Sequence, residues 1–339
     1  MRQSWVGICV NFPEYICAMK NISILVLNNA VAASIADSRY VFTMVNKFLS
    51  EKGKKPLFSI RLVGESKEIK LNNGLFVVYP DLVLDEATQN DLIIIPSIMG
   101  DTLSGTYLNK KFAPWIAKQY KEGAEIASLC TGAFLLAYSG VLKNKECTTH
   151  WQYANEFSFI YPSIKLVDEK VITDQQGLYS SGGSNAYWNL LIHLVEKYAG
   201  REMAIFTAKY FVIDMDRNFQ SPFIIFHGQK DHDDVVIKQA QEFIESHYKE
   251  KFTVDGLADK FAISKRTFER RFKKATRNTV AEYIQRVKIE GAKKQLELGR
   301  KSIVEVMYDI GYSDTQTFRD VFKRITGMTP VDYRNKYKV

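Results

Sequence analysis

Thr267-Phe268-Glu269-Arg270-Arg271-Phe272-Lys273 and Thr317-Phe318-Arg319-Asp320-Val321-Phe322-Lys323 stand 50 residues apart and keep the threonine, both phenylalanines and the lysine in step. Downstream, Thr276-x2-Thr279-x3-Tyr283 recurs at the same offset as Thr326-x2-Thr329-x3-Tyr333. A repeat of one period marks two copies of one supersecondary unit in tandem. In each copy the phenylalanine pair at i and i+4 forms the apolar stripe of a helix. Before it comes a shorter helical stretch and a tight turn: residues 254–261 then Ala262-Ile263-Ser264, and residues 303–310 then Gly311-Tyr312-Ser313. Gly311 supplies the backbone freedom such a turn needs, and Ser264 and Ser313 are the expected caps of the helices that follow. Helix, short turn and capped helix is the helix-turn-helix plan. The apolar period of Val280, Tyr283, Ile284, Val287 and Leu296 predicts one long helix joining the two units.

With the phenylalanines turned inward, the opposite face of each second helix points outward. In the first unit it carries Lys265, Arg266, Glu269, Arg270 and Lys273, and in the second Thr315, Gln316, Arg319, Asp320 and Lys323, with Thr267 and Thr317 as further candidate DNA contacts on the same helices. Arginine and glutamine pair bidentately with guanine and adenine edges, threonine can touch a thymine methyl, and lysines suit phosphates. Charge follows the same division. From residue 251 to the end there are 21 lysines and arginines against 11 aspartates and glutamates, a net of +10, so the other 250 residues net −2. A basic excess confined to one end is the footprint of a module that meets phosphates.

Upstream the pattern changes. Residues 22–27, 58–63, 91–96 and 125–129 read as strands apolar on both faces, and residues 39–52, 109–122 and 186–198 as helices between or after them. Such alternation implies an α/β domain with a doubly wound, mostly parallel sheet, ahead of an all-α domain. The expected division is an N-terminal extension (1–20), an α/β domain (21–200), a linker (201–234) and a helical domain (235–339). Within the linker, His227, Asp231, His232, Asp233 and Asp234 read as a solvated connector rather than a metal site. Cys9, Cys17, Cys130 and Cys147 form no CxxC pair and read as reduced cysteines of a cytoplasmic protein. No apolar run reaches 18 residues, and Asn11, Pro13 and Glu14 interrupt the apolar N-terminal segment, which argues against a membrane span or signal peptide. Met19 is the alternative start.

Ser128-Leu129-Cys130-Thr131-Gly132 has the small-x-nucleophile-x-Gly form of a sharp strand-to-helix elbow. His150 follows 20 residues on, so a Cys/His pair is one reading and a buried cysteine beside an unrelated histidine the other.

Residues from about 235 to 337 resemble the DNA-binding domain of the AraC/XylS family, through Asp309-Ile-Gly-Tyr-Ser-Asp-x3-Phe-x3-Phe-Lys-x3-Gly-Met-Thr-Pro-x2-Tyr-Arg334. The resemblance implies two helix-turn-helix subdomains bridged by a central helix, reading adjacent major-groove segments as a dimer on repeated half-sites of double-stranded DNA, with RNA polymerase a candidate partner. By position the family's base-reading residues fall on Arg266, Glu269 and Arg270, and on Thr315, Gln316, Thr317 and Asp320. Residues 21–200 resemble the PfpI-like branch of the class I glutamine amidotransferase superfamily, through Ala127-Ser-Leu-Cys-Thr-Gly-Ala-Phe134, Thr148-Thr-His-Trp151, and Ser180-Ser-Gly-Gly183 with Leu194-Val-Glu196. Catalytic members add a carboxylate to the cysteine and histidine. Here Leu27-Asn28-Asn29-Ala30 holds none before Asp37, Ser97 follows Pro96 where a glycine-rich turn is usual, and Asn189 stands where an aspartate is common.

These departures argue against hydrolysis. The expectation is a transcription regulator that is not an enzyme and needs no cofactor or metal, with Cys130, His150 and Ser97 lining a pocket for a small-molecule effector. The alternatives are a cysteine-dependent amidase or glyoxalase-like enzyme, and a redox-sensing Cys130.

Overall fold

Seven strands form one sheet in the N-terminal part of the computed structural model, which describes residues 18–87, 89–217, 219–230 and 232–339. Cys9 and Cys17 lie outside the described residues. In chain order the elements are β1 (Lys20–Val26), α1 (Ala32–Glu51), β2 (Phe58–Gly64), β3 (Ile69–Leu71), β4 (Phe76–Val78), β5 (Leu82–Val83), β6 (Leu92–Ile95), α2 (Thr102–Leu108), α3 (Phe112–Lys121), β7 (Glu125–Ser128), α4 (Ala133–Tyr138), β8 (Glu146–Cys147), α5 (Ala154–Ile160), β9 (Lys165–Leu166), β10 (Ile172–Gln175), β11 (Leu178–Ser181), α6 (Ala186–Ala199) and α7 (Arg201–Phe211). The sheet order is β10-β11-β7-β6-β1-β2-β5, parallel throughout except for β10 against β11. Leu92 to Ile95 and Ile24 to Leu27 are wholly buried, as strands covered on both faces must be. The chain moves outward from β1 through β2 to β5, then returns to β6 on the other side. The resulting switch point lies at the carboxyl ends of β1 and β6, the place where open α/β sheets bind ligands.

Two sequence expectations are corrected here. The first helix starts at Ala32, not Arg39, because its opening turns bury a single large apolar residue, Ile35, between the small polar Ser34 and Ser38. Their hydroxyls donate to the Val31 and Ser34 carbonyls, so small polar residues pack where an apolar stripe was sought. Residues 201–234 are not one connector: α7 buries Met203, Ala204, Thr207 and Ala208 and belongs to the α/β core.

Beyond an irregular stretch, α8 (Val235–Ser246), α9 (Val254–Lys260), α10 (Lys265–Thr276), α11 (Val280–Leu298), α12 (Ile303–Asp309), α13 (Thr315–Thr326) and α14 (Pro330–Tyr337) make up the C-terminal part. They enclose two separate small cores. Ile237, Ile244, Leu257, Phe268, Phe272, Val280 and Tyr283 fill the first, and Ile289, Leu296, Val306, Ile310, Phe318, Phe322 and Tyr333 the second. The predicted joining helix is α11, which supplies residues to both. Its first turn is closed by a capping box: Glu282 N–H donates to the Thr279 hydroxyl while the Glu282 carboxylate accepts from Thr279 N–H.

Candidate DNA interface and ligand pocket

Helices α9 and α10, and again α12 and α13, form the two helix-turn-helix units. Residue Ala262 turns the first corner with φ 53°, and Gly311 the second with φ 78°. The second corner is one residue longer, since α12 lies 49 positions after α9 but α13 lies 50 after α10. That extra residue moves the cap. Asp314, not Ser313, is the N-cap of α13 and accepts from Thr317 N–H at 2.7 Å, and this contact holds its carboxyl below the usual range. Ser264 is the N-cap residue of α10, but its hydroxyl bonds to the Thr267 hydroxyl rather than to a backbone N–H.

The outward faces lie where the helical period places them. Lys265, Arg266, Glu269, Arg270 and Lys273 are exposed on α10, with Thr267 half-buried. On α13, Gln316, Thr317, Arg319, Asp320 and Lys323 are exposed and Thr315 is half-buried. Lys265 pairs with Asp255 at 2.9 Å, and Gln316 donates to Asp320 across one turn at 2.8 Å. The second contact fixes the amide at the tip of α13. One arginine of α10 does not face outward: Arg271 forks onto Asp234, with bonds of 2.9 and 2.6 Å, and Asp234 also caps α8. His232 accepts from Asp234 N–H and bonds Gln241 at 2.8 Å, so these connector residues act in packing the first unit. Among the described residues no group of three His, Cys, Asp or Glu could hold a metal ion.

In the α/β part, the elbow carries Cys130 at φ 53°, a left-handed backbone that costs a non-glycine residue on the order of 1 kcal/mol. A side chain at Gly132 would lie 2.6 Å from the Pro96 carbonyl, so glycine lets the elbow close against the end of β6. Cys130 and Ser97 are both buried there, just past the carboxyl ends of β7 and β6. Burial pushes the thiol up, against smaller opposing contacts from Thr131, Ser97 and Ser184. The His150 imidazole, half-buried between the rings of Trp151 and Tyr153 and over Gly183, is pushed below its ordinary pKa by burial. Its Nδ1 accepts Gln152 N–H at 3.1 Å, which leaves the neutral ring's proton on Nε2. A catalytic histidine needs the reverse, with Nδ1–H on a carboxylate and Nε2 free to take a proton. Asn189 donates to the Asp214 carbonyl, and Asp37 accepts from the Tyr187 hydroxyl.

A residue the sequence did not single out joins the two parts. The Gln220 amide is buried under the Thr148-Thr149-His150 segment: Oε1 accepts Gly183 N–H at 2.9 Å, and Nε2 donates to the Thr149 and Asp168 carbonyls at 2.9 and 2.7 Å. Immediately after it, residues 221–224 lie against the second unit, with Lys293 donating to the Ile224 carbonyl at 2.6 Å and Phe223 edge-on to Tyr337. Asp168, Glu169, Glu282, Arg286 and Arg324 line a cavity of about 210 Å³ at this junction. Gln229 ties Asn155 to Asn278 on its far side. Nothing in the sequence marks Gln220, a single glutamine in an aperiodic stretch.

Two helix-turn-helix units on a basic end define a DNA-binding protein, and comparison with known proteins places it. Residues 257–336 match the helix-turn-helix domain model and residues 40–197 the DJ-1/PfpI family model. The regulatory protein SoxS of Salmonella typhimurium is 33% identical over 101 residues, 30% of this chain and 94% of that protein. The transcriptional regulator GbdR of Pseudomonas aeruginosa is 25% identical over 326 residues, 93% of this chain and 84% of that one. A Vibrio parahaemolyticus crystal structure matches with TM-score 0.51 and 20% identity over 57% of this chain and 99% of that one, a likeness of fold. The chain belongs to the AraC/XylS family of DNA-binding transcription regulators, with a DJ-1/PfpI-family domain at its N-terminal end. No helix of the described residues is long and apolar enough to cross a membrane.

Proposed function

We propose that the α/β domain, residues 21–200 extended through α7, is a non-catalytic sensor. A small molecule bound beside Ser97, Cys130 and His150 sets how residues 235–339 are held. The observation that carries this reading is Gln220, whose amide touches the segment bearing His150 and whose next four residues touch the second reader. An effector acts by binding the DNA-competent arrangement better than the other. The tautomer of His150 and the raised thiol of Cys130 support binding over turnover. They equally disfavour redox sensing, which wants an accessible thiol of low pKa.

In this reading α10 and α13 enter successive major-groove segments. Arg266, Thr267, Glu269 and Arg270, with Thr315, Gln316, Thr317 and Asp320, face base edges. Lys265, Lys273, Arg319 and Lys323 meet phosphates. α11 is about 28 Å long by its 19 residues, which suits readers spaced near one turn of DNA, ~34 Å. The protein works in the cytoplasm as a homodimer on repeated half-sites and engages RNA polymerase from there.

The test begins with selection of sites from a random DNA pool by the full-length chain at near-physiological salt. The affinity for the selected duplex is then measured across a panel of small metabolites. A sensor gives at least one compound that shifts the affinity severalfold in the wild type and not in His150→Ala. Turnover of such a compound that Cys130→Ala abolishes would replace the sensor reading with the enzyme one.

A further inference from the structure

The two readers are clamped to one another by a seam outside α11, made by the loop between α8 and α9. Three of its consecutive residues touch the second unit or the helix leading to it. The Tyr248 ring lies so close over Gly291 of α11 that a side chain there would sit 2.4 Å from it. The Lys249 carbonyl comes equally close to the second unit's corner, 2.4 Å from where a Cβ on Gly311 would stand. Glu250 offers its carbonyl to the buried ammonium of Lys288 at 2.8 Å, and the same ammonium donates to the Ile310 carbonyl, the C-cap of α12, at 2.7 Å. The Tyr312 ring flanks it with its centroid 5.8 Å away.

Lys288 therefore bonds one carbonyl from each unit with a single cation, and both acceptors are backbone atoms whose positions are set by their units' own folds. Apart from this seam and the connector along residues 221–229, the two units have separate cores joined by α11. A lone helix leaves a packed unit free to rock at either end. A charged donor held between two carbonyls removes that freedom, since charge-assisted bonds are the strong ones and a buried ammonium has no water to turn to.

We propose that Lys288 is a positioning residue for DNA recognition: by joining the Glu250 and Ile310 carbonyls it fixes the angle between α10 and α13, and so the spacing between the two base blocks that the protein accepts. The inference rests on α10 and α13 being the readers.

The experiment uses full-length protein and a duplex series built on a site selected by the wild type, with the two blocks kept and their separation changed by one and two base pairs either way. Duplexes carrying one block alone are included. Wild type binds the selected spacing best and loses about tenfold or more per base pair of displacement, comparable to a mismatched base pair. Lys288→Met flattens that profile while binding single-block duplexes as wild type does, and Lys288→Arg keeps the preference. Tyr248→Ala, which loosens the seam without burying an unpaired group, flattens it as well and carries the test if Lys288→Met does not fold. A Lys288→Met or Tyr248→Ala protein that binds every spacing more weakly by one common factor overturns the proposal. Loss of block recognition by the wild type itself, on single-block duplexes, would instead remove the reader assignment.

Discussion

Replacing Gln220 with alanine tests whether the connector is anchored or merely laid across the α/β domain. The side chain is 1% exposed and makes three good hydrogen bonds, to Gly183 N–H and to the Thr149 and Asp168 carbonyls, with two longer contacts to the Thr148 hydroxyl and the Lys170 carbonyl. At a net worth of about 0.5–1.5 kcal/mol per bond, the three give roughly 1.5–4.5 kcal/mol, and alanine leaves their partners facing a hole. The expected loss is about 3 kcal/mol. All four tryptophans, Trp5, Trp115, Trp151 and Trp188, precede the connector, so urea unfolding followed by tryptophan fluorescence reads the α/β domain without the helical one. The midpoint should fall with the slope unchanged. Gln220→Glu should fall at least as far at neutral pH, because a carboxylate would face two carbonyl oxygens, and it should recover on acidification as the carboxyl regains a proton to donate. A Gln220→Ala loss below about 1 kcal/mol would mean that water replaces the amide freely and that the anchoring argument fails.

On the DNA side, Arg266→Ala or Gln316→Ala should relax discrimination at particular base positions by about 1–3 kcal/mol. Lys323→Ala should weaken all sequences alike and reduce the slope of log affinity against log salt by about 1, read by titrations at several salt concentrations. Thr279→Ala and Ser302→Ala each remove a capping box and should cost about 1 kcal/mol in denaturation followed by far-UV circular dichroism. Burial pushes the Cys147 thiol up to about 12, so its contribution is fully present below the unfolded pKa near 9 and is lost as the pH rises from there. Between pH 9 and 10 wild type should lose about 1 kcal/mol more than Cys147→Ala in unfolding titrations.

The features legible in the sequence are those in which one strong pattern acts alone. Continuous apolar runs gave β1 and β6, and the Phe-x3-Phe repeat gave α10 and α13 with their exposed faces, because helical period and burial agree there. Less could be read where packing uses small or polar groups. The buried Ser34 and Ser38 hid the first turns of α1, and the alanine-rich face of α7 carried too little apolar contrast to announce a helix. Ser313 reads as the cap because it follows Gly311-Tyr312 as Ser264 follows Ala262-Ile263, at the offset of 49 that relates α9 to α12, whereas the offset of 50 that relates α10 to α13 carries Ser264 onto Asp314. Gln220 and Lys288 were invisible for another reason: a buried amide or ammonium is specified by carbonyls more than 20 residues away in sequence. For Cys130 the motif located the strained elbow, but the protonation of the thiol and the orientation of His150 depend on burial and on a backbone N–H two residues on.

α11 gives Val280, Tyr283 and Val287 to the first core, and Ile289, Ala292 and Leu296 to the second. If either core melts, roughly half of the helix is left with nothing to pack on, shorter than the ~12–15 residues an isolated helix needs to hold in water. Damage to one reader is therefore transmitted to the other as loss of helix. On the proposed two-block reading, a heat-stressed or mutated copy should pass from reading two blocks to reading none, without lingering as a one-block protein that would occupy the far more numerous half-matches in a genome.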